Sequence, residues 1–154
     1  MLSTRRNILA IALTAAIFSP AVASEVGTRA EATAMVEAAI AHIRKVGNDK
    51  AFTDFMEDKV NWTKKDLYVF VFDIDANWKA HGANPKLVGR NLMNLKDQNG
   101  KEFVKEFISV VKGKGEGWVD YDWAHPTTKK VEAKTTLVKR VPGSNLAVAV
   151  GIYR

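Results

Sequence analysis

The sequence predicts an α+β domain: one antiparallel sheet of five strands with the helices packed on one of its faces. Three observations predict it. Residues 28–46 and 99–111 repeat apolar side chains at spacings of three and four, the signature of helices with one buried stripe. Five stretches of five to eleven residues alternate, or run apolar throughout, as strands do. Short connections rich in Gly, Pro, Asn and Asp join most of these strands, which favours antiparallel neighbours. The order is helix, helix, two strands, helix, three strands, and 154 residues suit a single domain. There is no repeat and no low-complexity tract.

The N-terminus stands apart from this plan. Met1 to Asn7 carries Arg5 and Arg6 and no acid, Ile8 to Phe18 is apolar, and Ala21-Val22-Ala23 fits a small-x-small cleavage pattern. Residues 1–23 read as a secretory signal peptide cleaved after Ala23, which predicts a periplasmic or secreted domain over 24–154. The apolar run is short for a membrane span, although an uncleaved anchor stays open. Thr4 to Leu9 reads equally as a twin-arginine signal or an ordinary n-region. Loss of Arg5 and Arg6 takes the net charge from +6 to +4, and the remaining lysines are interspersed with acids, a solvated surface rather than a nucleic-acid face. With no cysteine, the chain has no disulfide, thiolate nucleophile or Cys-based metal site.

Each element has a local reason. Thr28-Arg29-Ala30-Glu31 is a capping box that starts a helix ending at Val46, with Met35, Val36, Ala39, Ile40 and Ile43 as its stripe and His42 at the stripe's edge. Asn48 or Asp49 can cap a second helix presenting Phe52, Phe55 and Met56; Val60 to Thr63 reads as a connection. Leu67 to Asp73 is apolar and β-rich, and its pleat separates Leu67, Val69 and Val71 from Tyr68, Phe70 and Phe72. A turn at Asp73 to Asn77 returns the chain as a strand ending at His81, before Gly82-Ala83-Asn84-Pro85. Asn99 is expected to cap the helix carrying Phe103, Val104, Phe107, Ile108 and Val111. Strands follow at 117–123, 131–141 and 146–153. The last of these leaves one face nearly bare at Ala147, Ala149 and Gly151, which either admits a helix close to the sheet or leaves room for a ligand.

The blocks DLYVFVFD, AHGANPKLVGRNL, LKDQNGKEFV, GWVDYDW and VAVGIY, in that order, resemble a single Cache domain, the PAS-like extracytoplasmic sensor module of bacterial chemoreceptors and histidine kinases. The resemblance runs from about Ala30 to Tyr153. It implies a PAS-like five-stranded sheet and a pocket whose aromatic and polar strand residues hold small carboxylates, amino acids or amines. It differs in ending at Arg154, with no transmembrane helix or signalling domain after the sensor.

No motif argues for catalysis. Asp73-x-Asp75-x-Asn77 lacks the Gly and Glu of a calcium loop, the three histidines have no metal-ligand spacing, and no glycine-rich loop opens a helix. No metal or cofactor is therefore expected. What the chain offers is a small-molecule pocket, with Tyr68, Phe70, Trp118, Tyr121 and Trp123 as candidate walls and His81 and Lys134 as candidate polar contacts. Lys134 shares a strand face opposite Leu137; it either pairs with an anion or reaches solvent along its own stem. The expected function is an exported sensor domain, not an enzyme. It would bind a short-chain carboxylate or similar metabolite, and would signal to a membrane-bound partner. The alternatives are a dimerisation module built on the first helix, giving a homodimer without a ligand, or a small periplasmic enzyme using His81.

Overall fold

The computed structural model describes residues 26–154; the expected signal peptide and its cleavage point lie outside the described residues. Six strands form one sheet: β1 (Thr63–Lys64), β2 (Leu67–Asp73), β3 (Trp78–His81), β4 (Glu116–Ala124), β5 (Val131–Arg140) and β6 (Leu146–Tyr153). The order is β1-β2-β6-β5-β4, with β3 also paired to β2, and every pairing is antiparallel. The five longer strands are those expected. β1 is a two-residue arm folded back on β2 within what reads in sequence as a connection.

The helices are α1 (Arg29–Val46), α2 (Asn48–Glu57), α3 (Lys59–Trp62) and α4 (Phe103–Lys112). The α1 capping box forms as its sequence predicts, with Thr28 Oγ1 accepting from Glu31 N at 3.1 Å and Glu31 Oε2 from Thr28 N at 2.9 Å. His42 is a structural side chain, 2.8 Å from Asp54 Oδ2 and against Trp62. α3 is one turn capped by Asp58, too short to show a period in sequence. Two caps differ from expectation. α2 follows Gly47 with no side-chain cap. α4 begins without help from Asn99, because Asp97 organises that segment instead. Its Oδ1 accepts from Asn99 N and Lys101 N, both at 2.9 Å, and its Oδ2 from Asp122 N at 3.2 Å, which ties the turn to β4.

Helices cover both faces of the sheet, not one. α1 and α2 pack Val36, Ile40, Ile43 and Phe55 against Leu67, Val69, Val71, Val148 and Val150. α4 packs Phe103, Val104, Phe107 and Val111 against the opposite face, on Phe70, Phe72, Val119, Tyr121 and Val138. The cause is visible in β2, all seven of whose residues are buried. A strand apolar on both sides of its pleat needs cover on both. The bare face of β6 lies on the α4 side, where Ala147 and Ala149 join that core.

The segment between β3 and α4 doubles back along β3. Gly89 N donates to Trp78 O and Trp78 N to Arg90 O, with a 3-10 turn at Pro85–Leu87 before them. Gly89 has φ +81°, a conformation that a side chain rarely adopts. The Asp73 carboxylate, first residue of the calcium-like run, is occupied by the turn it makes. It accepts from Asp75 N, Asn77 N and Asn77 Nδ2, and Lys79 Nζ lies 3.1 Å away.

Candidate ligand-binding site

Antiparallel pairing brings five strand ends to one edge of the sheet. β2 and β5 begin there; β3, β4 and β6 finish there. Register aligns the site residues: Phe70 opposes His81, Lys134 opposes Tyr153, and Tyr121 opposes Lys134. Between the segment after β3 and the hairpin joining β4 to β5 lies a cleft of about 320 Å³. Its walls include Tyr68, His81, Lys86, Trp123, His125 and Lys129, and no carboxylate lines it. Behind His81 and Trp123, which border both spaces, Phe70 and Tyr121 line a nearly filled aromatic chamber of about 10 Å³.

Lys134 stands one residue behind the cleft and is fully buried. Its Nζ donates to Tyr68 Oη at 2.6 Å and Tyr153 Oη at 3.3 Å, and sits 4.2 Å and 4.6 Å from the centres of those rings. Among the described residues it makes no ion pair. Burial pushes its amine down to about 7, opposed by the charge of Asp66. Asp66 is itself committed, accepting from Gly27 N and from Tyr153 N. Tyr153 Oη donates to Ala124 O at 2.8 Å, so this phenol is anchored at the mouth of the β4–β5 hairpin. Tyr68 also borders the cleft, and its hydroxyl accepts from Lys134, so its own proton can serve either Tyr153 Oη, 3.4 Å away, or a ligand.

Gly151 makes this arrangement possible. A Cβ there would collide with Thr136 Oγ1 and Lys134 Cε. At Gly151 the bare strand face therefore admits the Lys134 stem rather than a helix or a ligand, while Ala147 and Ala149 of the same face lie in the α4 core.

His81 is 4% exposed. Its Nδ1 accepts from Asn84 N at 2.9 Å and Ala83 N at 3.3 Å, which places the ring proton on Nε2. Burial first, then the nearby Lys134 charge, push its pKa down to about 3, so the ring is a neutral hydrogen-bonding group at neutral pH. The phenols of Tyr68 and Tyr121 are raised by burial and stay protonated.

Of the sequence candidates, Tyr68, His81 and Trp123 border the cleft, Phe70 and Tyr121 wall the chamber, and Lys134 backs Tyr68. Trp118 does not join them. It lies on the opposite face of the sheet, packed with the α1 core under the Arg29 guanidinium at 4.4 Å. The pleat of β4 dictates this, because Trp118 and Tyr121 are three residues apart and point to opposite sides. Sequence reading missed Lys86, His125, Lys129, Asp66 and Tyr153. The first three sit in loops; the signal that finds them is the shared direction of β3 and β4, whose ends converge.

The chain matches the family model described as Single Cache domain 2 over residues 10–154. Two curated relatives agree: a sensor histidine kinase, MctS, of Rhizobium johnstonii, 32% identical over 89 residues, and a methyl-accepting chemotaxis protein, McpP, of Pseudomonas putida, 26% identical over 88 residues. Those matches take 58% and 57% of this chain but 19% and 16% of the relatives' own lengths. Among solved structures, a methyl-accepting chemotaxis protein of Vibrio parahaemolyticus shares the fold, with a TM-score of 0.70 at 23% identity over 81% of this chain and 87% of that one. A periplasmic sensor domain of a chemotaxis protein aligns with a TM-score of 0.64 at 28% identity, covering 80% and 88%. A Cache chemosensory domain described for carboxylic acid recognition aligns with a TM-score of 0.69 at 22% identity, covering 80% and 91%. The fold and these matches define a Cache module of the kind found in chemotaxis proteins and a sensor histidine kinase. The chain belongs to the single Cache domain family.

Proposed function

We propose that this protein is a periplasmic sensor domain that binds a short carboxylate in the cleft at the strand ends, and that it is not an enzyme. The observation that carries this reading is the cleft's charge. Lys86 and Lys129 stand at its walls, no carboxylate lines it, and Tyr68 presents a hydroxyl backed by the buried Lys134 amino group, which has no ion pair among the described residues. A buried amino group of this kind favours the approach of an anion, because an anion beside it stabilises its charged form. Tyr68 Oη and His81 Nε2–H would donate to the carboxylate, and Trp123 would cover its apolar part. The solved Cache domain described for carboxylic acid recognition supports the same ligand class.

Binding would act by shifting the segment 82–94 between two populated arrangements, a change handed to a membrane-bound signalling partner. The dimerisation reading has less to stand on. The outward side of α1 shows Ala30, Ala34, Ala38 and Ala41, and the large apolar side chains exposed among the described residues are Val26, Val60 and Val131, none of them in α1. A thermal-shift panel of small carboxylates, amino acids and amines tests the proposal. A ligand at 100 times its Kd stabilises the native state by about 2.7 kcal/mol, several degrees of melting temperature. A carboxylate hit that weakens in Tyr68→Phe and Lys134→Met is expected; hits only among amines would overturn the reading.

A further inference from the structure

The Lys134 ammonium has an environment built for one of its two charge states only when something else is present. Its stem passes Gly151 and its Nζ is enclosed by the ring faces of Tyr68, Tyr153 and, at 5.9 Å, Phe70. Its hydrogen-bond acceptors are two neutral phenols. The charged or titratable groups that face this cluster can be taken element by element. From the segment before β2 comes Asp66, both of whose oxygens are taken by backbone N–H groups. From β2, β4 and β6 come the phenols of Tyr68, Tyr121 and Tyr153, which burial keeps protonated. From β3 comes His81, neutral by its tautomer. From α3 comes Lys59, whose Nζ is held by Gly82 O. From β5 itself comes Glu132, which acts on Tyr153. From the β4–β5 hairpin comes His125, packed at a tilt against Tyr153 with ring centres 4.7 Å apart. Asp66 acts on Lys134 through its charge, but no carboxylate among the described residues forms an ion pair with Nζ, whose acceptors are the two phenols. A carboxylate docked against the Tyr68 hydroxyl would add a second anion, one hydroxyl away from the Lys134 amine.

We propose that Lys134 couples ligand binding to proton uptake: the carboxylate is taken up together with a solvent proton that converts the Lys134 amine to an ammonium. The step balances without a co-reactant. One N–H bond forms at Nζ, the proton comes from water or buffer, and the anion and the new cation cancel within the site. The domain then responds to the carboxylate and to pH together, binding the elements of the undissociated acid. This rests on the carboxylate reading above and adds the regulation of that site. Its sign follows from burial: the free site favours the neutral amine above pH 7 and the liganded site favours the ammonium.

Titration calorimetry on the purified protein, with acetate and propionate as probes in phosphate and in Tris at pH 6 and pH 8, reads the coupling directly. The difference in observed heat between buffers gives the protons taken up. The expected result is an uptake near one at pH 8 and near zero at pH 6, with Kd rising about fivefold from pH 7 to pH 8 and about ninefold from pH 8 to pH 9. Binding with no buffer dependence at pH 8 overturns the coupling while leaving the carboxylate reading intact. Uptake larger at pH 6 than at pH 8 also overturns it, because that pattern places the proton on a histidine. Absence of binding to either probe at both pH values removes the carboxylate reading and the coupling with it. Lys134→Met, where it folds, should bind more weakly and show no uptake at pH 8; unchanged uptake in that variant would likewise refute the role of Lys134.

Discussion

Between pH 7 and pH 9 the folded protein should gain stability, and Lys134→Met should abolish the gain. The amine is pushed from its ordinary value of 10.5 to about 7 by burial. A base whose folded pKa lies below its unfolded one binds fewer protons when folded. The unfolding free energy then rises with pH across the interval between the two values, and the gain is lost as pH falls toward 7. Over pH 7 to 9 the linkage relation gives about 2 kcal/mol, a large part of a marginal stability. The buried phenols do not interfere in this window, since burial raises Tyr68 and Tyr121 and keeps them protonated. Urea unfolding at pH 7, 8 and 9, followed by tryptophan fluorescence, measures it through the midpoint. Wild type should climb while Lys134→Met stays flat. Parallel, flat curves for both proteins would refute the claim that the free Lys134 site favours the neutral amine.

Other perturbations have defined outcomes. Gly151→Ala drives a methyl into Lys134 Cε and Thr136 Oγ1; the overpacking should cost about 1–3 kcal/mol in urea and weaken carboxylate binding. His81 carries a pKa near 3 against an ordinary 6.5, so wild type should lose about 1.4 kcal/mol per pH unit from this group as pH falls below 6.5, and His81→Gln should lose less over pH 6 to 4. Trp118→Phe should leave carboxylate affinity unchanged while Trp123→Ala lowers it, measured by calorimetry at pH 6, because only Trp123 borders the cleft. Thr28→Ala removes the α1 cap and should cost about 1 kcal/mol in thermal or urea unfolding.

Much of the fold was legible because its signals are local. The Thr28–Glu31 box fixed the start of α1, and the pleat of Leu67 to Asp73 separated its two faces correctly. That same stretch held the evidence against helices on one face, since a run apolar on both sides of the pleat asks for two covers. Asn99 was outcompeted as a cap by Asp97, two residues earlier, whose carboxylate closes a turn and holds β4 at once. The alternation of Gly117 to Trp123 already divided Trp118 from Tyr121 and Trp123, so treating all three as one wall set aside the pattern that sorts them. Tyr68, His81 and Trp123 were accessible to sequence reasoning because each lies near a strand end at the shared edge. His125, Lys86 and Lys129 were not, because loop residues acquire a common site only when strand directions are traced through the whole sheet. Lys134 showed its residue type and its strand; that it stops one hydroxyl short of the cleft follows from packing past Gly151.

The measurement that tests the account most directly is an amide NMR titration of the protein with propionate at pH 6. The expected shifts concentrate at Ala83, Asn84, Ala124 and Thr127 to Lys129, around the cleft, and shrink in Tyr68→Phe. Shifts confined to the opposite groove, around Thr33, Glu37 and Trp118, or no shifts at all, would contradict a carboxylate site at the strand ends.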